Sequence, residues 1–428
     1  MKLEVCIISR EIIKPSSSTP NHLRIYKLSH IDQSNFNFFV PFTLFYSRGP
    51  KSSDQLKKSL SKILTYYYPF AGRVKDNFID SDDNGVSFVE AHVAGDMSEV
   101  LKKPEIDLLQ QLLPYQPREM SAIEFNLAIQ INYFESGGVA ISFCFGHFIV
   151  DAAAVAHFIR SWAMVACGGD DTIKDISLFP SHDWLVLPTS NIDQEIVNII
   201  TIPQSGESEL KEHSSGKRTK RFVFEKSKIM ALQETFGSRV TRFEAMFVLM
   251  WSAIAATKLE EEEFVAAIAV NLRKRIDPPI SEQCIGNICT VIISNWPKEE
   301  ITNCNSLAVK LRELLRMVND DYIRNALRKS MYLNFIRDHN VASSSNRKRF
   351  IFVSGCSKLP FYEADFGWGK PVWFAFPNSE DDDNICVSLF DASDGEGIEA
   401  WVEMSKEQMA KFEKDPTVIA YASFNPST

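Results

Sequence analysis

His147 and Asp151 stand four residues apart in ISFCFGHFIVDAAAVAHFI (141–159), where an apolar run meets a stretch of small residues. An imidazole with an ordinary pKa of about 6.5 can draw a proton from an attacking hydroxyl at neutral pH. An aspartate four residues on could orient that ring, cap the following helix, or pair with a distant arginine. Alone, H-x-x-x-D is a weak pattern, and a satisfied buried histidine beside an N-cap aspartate explains it as well. Cys144, three residues before His147, is a competing nucleophile, but its place inside the apolar run assigns it to core. The cysteines at 6, 144, 167, 284, 289, 304, 356 and 386 form no CxxC pair and meet no paired histidines. They read as reduced thiols, mostly buried as small apolar residues, and no metal site is expected.

Several elements must place this pair. LAIQINYF (127–134) and VAISFCF (139–145) are strand runs joined by ESGG, a hairpin pattern. Asp151 then offers an N-cap to a helix through AAAVAHFIRSWAMVA, which Gly168 and Gly169 end. Upstream, 52–68 has apolar residues at helical spacing and 85–95 alternates as a half-buried strand. Between about 188 and 216, turn formers, charge and two prolines surround a short apolar patch, which reads as an interdomain crossover. Beyond it KRFVFEKSKIMALQETF is a strand leading into a helix, TRFEAMFVLMWSAIAATKL an apolar helix and FVAAIAVNL a buried strand. An amphipathic helical region covers 305–337, RKRFIFVS starts a strand, and NICVSLFD and GIEAWVEM are strands before the helix KEQMAKFEKD.

A chain of 428 residues exceeds one ordinary core, so two domains of roughly 200 residues are expected. Strands and helices interleave without βαβ regularity, which predicts a mixed α/β fold. A net charge of -9 and a pI near 5.5 argue against nucleic acid or an anionic membrane as partner. The first residues lack a signal-peptide pattern and no long uncharged apolar run occurs, so a cytoplasmic protein is expected.

Around His147 and Asp151 lie YYPFAGRV (67–74), VNLRKRIDPP (270–279), IGNIC (285–289) and FYEADFGWGKP (361–371), in that order. Together these segments resemble the plant BAHD acyltransferases, which carry HxxxD midway and DFGWG near the C-terminus. The opening IKPSSSTPNHLRIYKLSHIDQ and AVNLRKRIDPP look most like the alkaloid-type members. The resemblance implies two chloramphenicol-acetyltransferase-like domains of similar size, each with a mixed sheet flanked by helices, and an active-site channel at their interface. It places the first domain at 1–190 and the second at 191–428, with 191–216 as linker and a segment of about 367–388 crossing back to the first domain. It also implies acyl transfer from acyl-CoA to a small-molecule hydroxyl, here most readily from acetyl-CoA to an alkaloid alcohol, by a monomer. Phenolic, terpenoid or amine acceptors, a malonyl donor, and a noncatalytic small-molecule-binding relative are the alternatives.

By the same resemblance His147 is the general base and Asp151 a structural aspartate that pairs with Arg273. Asp365, Phe366, Gly367, Trp368 and Gly369 would shape the fold and the cofactor side of the channel. The basic cluster containing Lys220 and Arg221 is a candidate for CoA phosphates, with a solvated loop as the alternative. Thr241, at the start of the apolar helix, and Asn287 of IGN are further candidate cofactor contacts. Two departures stand out. Ala152 replaces the glycine that many relatives carry after HxxxD, and VSGCSKLP offers Ser354 and Cys356 where many carry a Thr/Ser-x-Trp element. A roomier or differently shaped acceptor pocket bounded by Ser354 and Cys356 is therefore expected.

Overall fold

A computed structural model describes residues 3–29, 32, 39–75, 77–115, 124–169, 216–236, 240–257, 263–297, 304–328, 350–378 and 384–428. The period-two segments of the N-terminal half become β1 (Glu4–Ile13), β2 (Ile25–Lys27), β3 (Phe39–Tyr46), β4 (Arg73–Lys75), β5 (Phe78–Asp80), β6 (Val86–Ala94), β7 (Leu127–Phe134) and β8 (Val139–Gly146). Those of the C-terminal half become β9 (Lys217–Phe224), β10 (Glu263–Asn271), β11 (Cys289–Pro297), β12 (Phe350–Cys356), β13 (Trp373–Ala375), β14 (Ile385–Asp391), β15 (Ile398–Ser405) and β16 (Ser423–Phe424). One six-stranded sheet runs β1-β6-β7-β8-β3-β13 and a seven-stranded sheet runs β11-β10-β12-β14-β15-β9-β16, with β2-β5-β4 as a small third sheet. Both large sheets are mixed: β6–β7 is parallel in the first, and β10–β12 and β12–β14 are parallel in the second.

Helices cover these sheets by simple apolar patterning. α1 (Asp54–Leu64) buries Leu56, Leu60, Ile63 and Leu64, one stripe at helical spacing, and packs on α2 (Ala152–Ala166). In α2 the apolar residues go most of the way round, so the helix lies inside the core. It stops where Gly168, at φ +84°, lets the main chain close back through Gly169 N–H to Met164 O at 2.9 Å. α3 (Lys226–Thr235), α5 (Cys304–Met317) and α7 (Lys406–Phe412) pack against α4 (Arg242–Ala256), the buried central helix of the second half. α6 (Asp320–Arg328) follows α5, and the rest of the helical region expected to 337 lies outside the described residues, as do the 190/191 boundary and the linker 191–215.

Two hydrophobic cores result, and the first borrows from far down the chain. β13 pairs with β3 (Trp373 with Phe45, Ala375 with Thr43) and so sits on the outer edge of the first sheet. Phe361, Ala364, Phe366 and Trp373 to Phe376 belong to the first core, while Ile385 already belongs to the second. The segment that joins the first core therefore begins at Phe361, upstream of residue 367. Phe361 stacks on the Phe42 ring of β3 and Phe374 packs tilted against it, at centroid distances of 5.6 and 5.7 Å, which supplies the apolar attraction for this crossing.

Candidate active site

Strand β8 ends at Gly146, the turn closes by Ile149 N–H to Gly146 O at 3.2 Å, and α2 begins at Ala152. His147 lies in that turn. Asp151 caps the helix, its Oδ1 accepting the Ala154 N–H at 2.9 Å. Its main partner comes from the other half. Arg273, fully buried in the loop after β10, donates Nη1 to Asp151 Oδ2 at 2.6 Å and Nη2 to Oδ1 at 3.0 Å. The Ile288 N–H adds a bond to Oδ2 at 3.0 Å, and Arg273 Nη2 also reaches Cys284 O at 2.9 Å. A bidentate pair whose carboxylate oxygens also take main-chain N–H groups is what a buried aspartate requires. Asp151 thus bolts the corner to the loop 284–288.

That loop grips His147 as well. Asn287 Nδ2 donates to the His147 carbonyl oxygen at 2.6 Å, and Val150 forms a β-bridge with Gly286. Behind Asn287 stands Asp32, buried, whose Oδ1 accepts Asn287 N–H at 2.8 Å and Nδ2–H at 2.9 Å. Burial holds the His147 imidazole below its ordinary pKa, against the opposing pull of a hydrogen bond to its own backbone, the Asp151 charge and the Asn287 side chain. The ring is therefore neutral at pH 7, the state a proton acceptor needs.

His147 borders a cavity of about 570 Å³ between the halves. The first half contributes Val40, His147 and Asp151 to Ala153; most of the remaining wall is one face of the second sheet. Period-two alternation picks that face: Ala269 and Asn271 of β10, Cys289 and Val291 of β11, Phe352, Ser354 and Cys356 of β12, Cys386 and Ser388 of β14, and Trp401 and Glu403 of β15. Register aligns them in rows, Ala269 beside Ser354, Ser354 beside Ser388, and Ser388 beside Trp401. Ser354 and Cys356 accordingly lie on the wall. The volume is in the range of sites that enclose a small organic ligand.

The thiols are distributed otherwise than expected. Cys144 and Cys284 are buried, Cys6 and Cys167 are exposed, and the other four are partly buried, three of them lining the cavity. Burial pushes the Cys144 thiol up to about 12 and Cys356 to about 12, and raises Cys289 strongly. Cys144 packs inside β8 among core residues and does not reach the cavity, which removes it as nucleophile. Among the described residues no cluster of histidine, cysteine or carboxylate could hold a metal, and no helix is long and apolar enough to cross a membrane.

The four expected cofactor contacts all have partners within the protein. Lys217–Phe224 is strand β9 and not a loop. Arg221 is buried, pairs with Glu399 at 2.7 Å, donates to Pro426 O at 2.8 Å and lies over the Trp373 ring. Lys220 points to the opposite face from the cavity, toward Glu413 of the segment after α7. Thr241 caps α4 in a reciprocal capping box with Glu244. Asn287 spends both amide protons on Asp32 and His147. None of the four borders the cavity.

The DFGWG segment also lies off the cavity wall. Asp365 Oδ1 accepts the N–H groups of Gly367 and Gly369 at 2.8 and 3.0 Å, a turn in which both glycines adopt positive φ, +100° and +110°. Phe366 is buried against Trp162 of α2 at 4.9 Å, and Trp368 stacks on Phe366 at 5.5 Å. Their place is in the first core, so they shape the fold; a contact with the cofactor side of the channel is not among their interactions. Asp32, in contrast, had no expected role, although its tie to Asn287 puts it two bonds from the His147 backbone.

With this geometry in view, comparisons with known proteins converge. The sequence model of the Transferase family matches residues 3–419. A limonoid 21-O-acetyltransferase of Citrus sinensis is 42% identical, covering 99% of this chain and 100% of that protein. Vinorine synthase of Rauvolfia serpentina is 33% identical over 94% of each chain, and its crystal structure aligns with a TM-score of 0.78 over 95% of this chain and 96% of that one. F. graminearum TRI101, solved with coenzyme A and deoxynivalenol, shares the fold at a TM-score of 0.72 and 16% identity, covering 94% of this chain and 99% of that chain.

Proposed function

Since the chain belongs to the Transferase family and is an acyltransferase of the BAHD type, we propose that it transfers an acetyl group from acetyl-CoA to a hydroxyl of a polycyclic, oxygenated terpenoid of the limonoid kind. The observation that carries the reading is a neutral His147 held on the wall of a cavity shared by the two halves. The acceptor hydroxyl gives its proton to His147 as its oxygen attacks the thioester carbonyl. The tetrahedral oxyanion collapses, the C–S bond breaks, and the CoA thiolate takes the proton back from the imidazolium. No acyl-enzyme forms; the raised pKa values of Cys289 and Cys356 keep these thiols protonated and poorly nucleophilic beside a thioester.

The resemblance to alkaloid-type members favoured an alkaloid acceptor, but higher identity to a limonoid acetyltransferase than to vinorine synthase moves the preference to a terpenoid alcohol. A wall of Ala269, Ser354, Cys356, Cys386 and Ser388 suits a bulky rigid acceptor, because small side chains leave its volume open. An alkaloid alcohol is the second reading, supported by the vinorine synthase match across the whole fold. The test is turnover of acetyl-CoA, followed by released thiol, against matched panels of limonoid-type and indole-alkaloid alcohols. Product from the first panel supports the reading, product from the second alone supports the alternative, and release from neither with folded enzyme refutes both.

A further inference from the structure

We infer that Asp32 is a positioning residue for His147 and acts through Asn287, an inference that rests on the proposed role of His147 as base. Asp32 and Asn287 are 255 residues apart in sequence and joined by two bonds to one oxygen, from Asn287 N–H at 2.8 Å and Nδ2–H at 2.9 Å. Holding both ends of Asn287 fixes the plane of its carboxamide. The second amide proton then falls on the His147 carbonyl oxygen at 2.6 Å. This bond sets the peptide plane that follows His147, and with it the direction in which the ring leaves the backbone. Arg273 and Ile288 N–H fix Asp151 on the other side of the turn, so the imidazole is stayed from both flanks.

Asp32 is itself anchored. Its Oδ2 accepts Ser29 N–H at 2.8 Å, and Ser29 Oγ accepts Asp32 N–H at 3.1 Å. Three N–H donors converge on a buried carboxylate, and among the described residues no cation forms a salt bridge with it. Only a group that accepts at both oxygens meets this set; an asparagine would turn its NH₂ against one of the donors. The carboxylate does not border the cavity, so its influence on the reaction passes through Asn287.

The experiment measures kcat and both KM values for Asp32→Ala, Asp32→Asn, Asn287→Ala and the Asp32→Ala/Asn287→Ala double variant, using acetyl-CoA and the fastest acceptor of the panels above, with thermal melting as fold control. Displacement of the ring should lower kcat by about ten- to a hundredfold in Asp32→Ala and leave the KM for acetyl-CoA within about twofold. Asp32→Asn should fall between it and the parent, and the double variant should lose no more than the worse single one. Should Asp32→Ala not fold, the isosteric Asp32→Asn carries the same readings. A parental kcat in the folded variant, multiplying losses in the double variant, or a rise in KM with kcat unchanged would overturn the inference. Parental turnover by His147→Ala sinks the base assignment; inactivity of that variant beside a parental Asp32→Ala sinks only the role of Asp32.

Discussion

The corner HFIVD at residues 147–151 and the corner DFGWG at residues 365–369 use one device to opposite ends. In each, an aspartate carboxylate accepts main-chain N–H groups and stiffens a turn: Asp151 takes those of Ala154 and Ile288, Asp365 those of Gly367 and Gly369. The first turn keeps its other oxygen contacts for an arginine of the opposite half and leaves an imidazole on the cavity wall. The second hands its side chains to an aromatic stack inside one core. A recognisable motif therefore marks a place where the backbone must be held, and only the surroundings decide whether chemistry happens there.

Four measurements would break or sharpen that contrast. His147→Ala should reduce turnover by about 10²- to 10⁴-fold while the melting temperature stays near parental, since the missing group is a base. Asp151→Ala leaves Arg273 buried without its carboxylate and should cost about 3–5 kcal/mol of stability in denaturant titrations, with activity lost alongside. Phe366→Ala should cost a comparable or smaller 3–5 kcal/mol, about that of other buried Phe→Ala changes, yet keep parental kcat per folded molecule. Loss of kcat without loss of stability in Phe366→Ala would erase the distinction between the corners.

The smallest effect is in pH dependence. The His147 pKa lies below its ordinary value, so the base form persists on acidification and the acid limb of kcat/KM should fall below about 6.5. The same ring binds a proton less readily folded than unfolded. Its contribution to stability is thus full above about 6.5 and is lost as pH drops through that value toward the folded pKa. A limb above 6.5 that His147→Ala leaves in place would assign the titration elsewhere.

Local pattern made much of this legible. The β7–β8 hairpin, the Asp151 cap and the glycine stop of α2 follow from residues within a few positions of one another. The paired strand-helix reading of 220–236 held for the same reason. The charge-rich KRTKR obscured its own geometry, since the period-two reading through Phe222 and Phe224 makes it a strand with Arg221 on an inner face. Asp32 was invisible because its bonds lie to Asn287, and no local signal distinguishes a buried aspartate from one in a turn. β13 was equally hard to place as a strand: three residues, WFA, acquire their strand identity from β3.

That short strand has a consequence for how the chain is made. Synthesis runs from the N-terminus, so β3, with the ring of Phe42 beside it, waits with a bare outer edge until residues 361–376 have left the ribosome. The N-terminal half, severed from the rest, would keep that sticky margin permanently, and neither half should be expected to mature as an autonomous body.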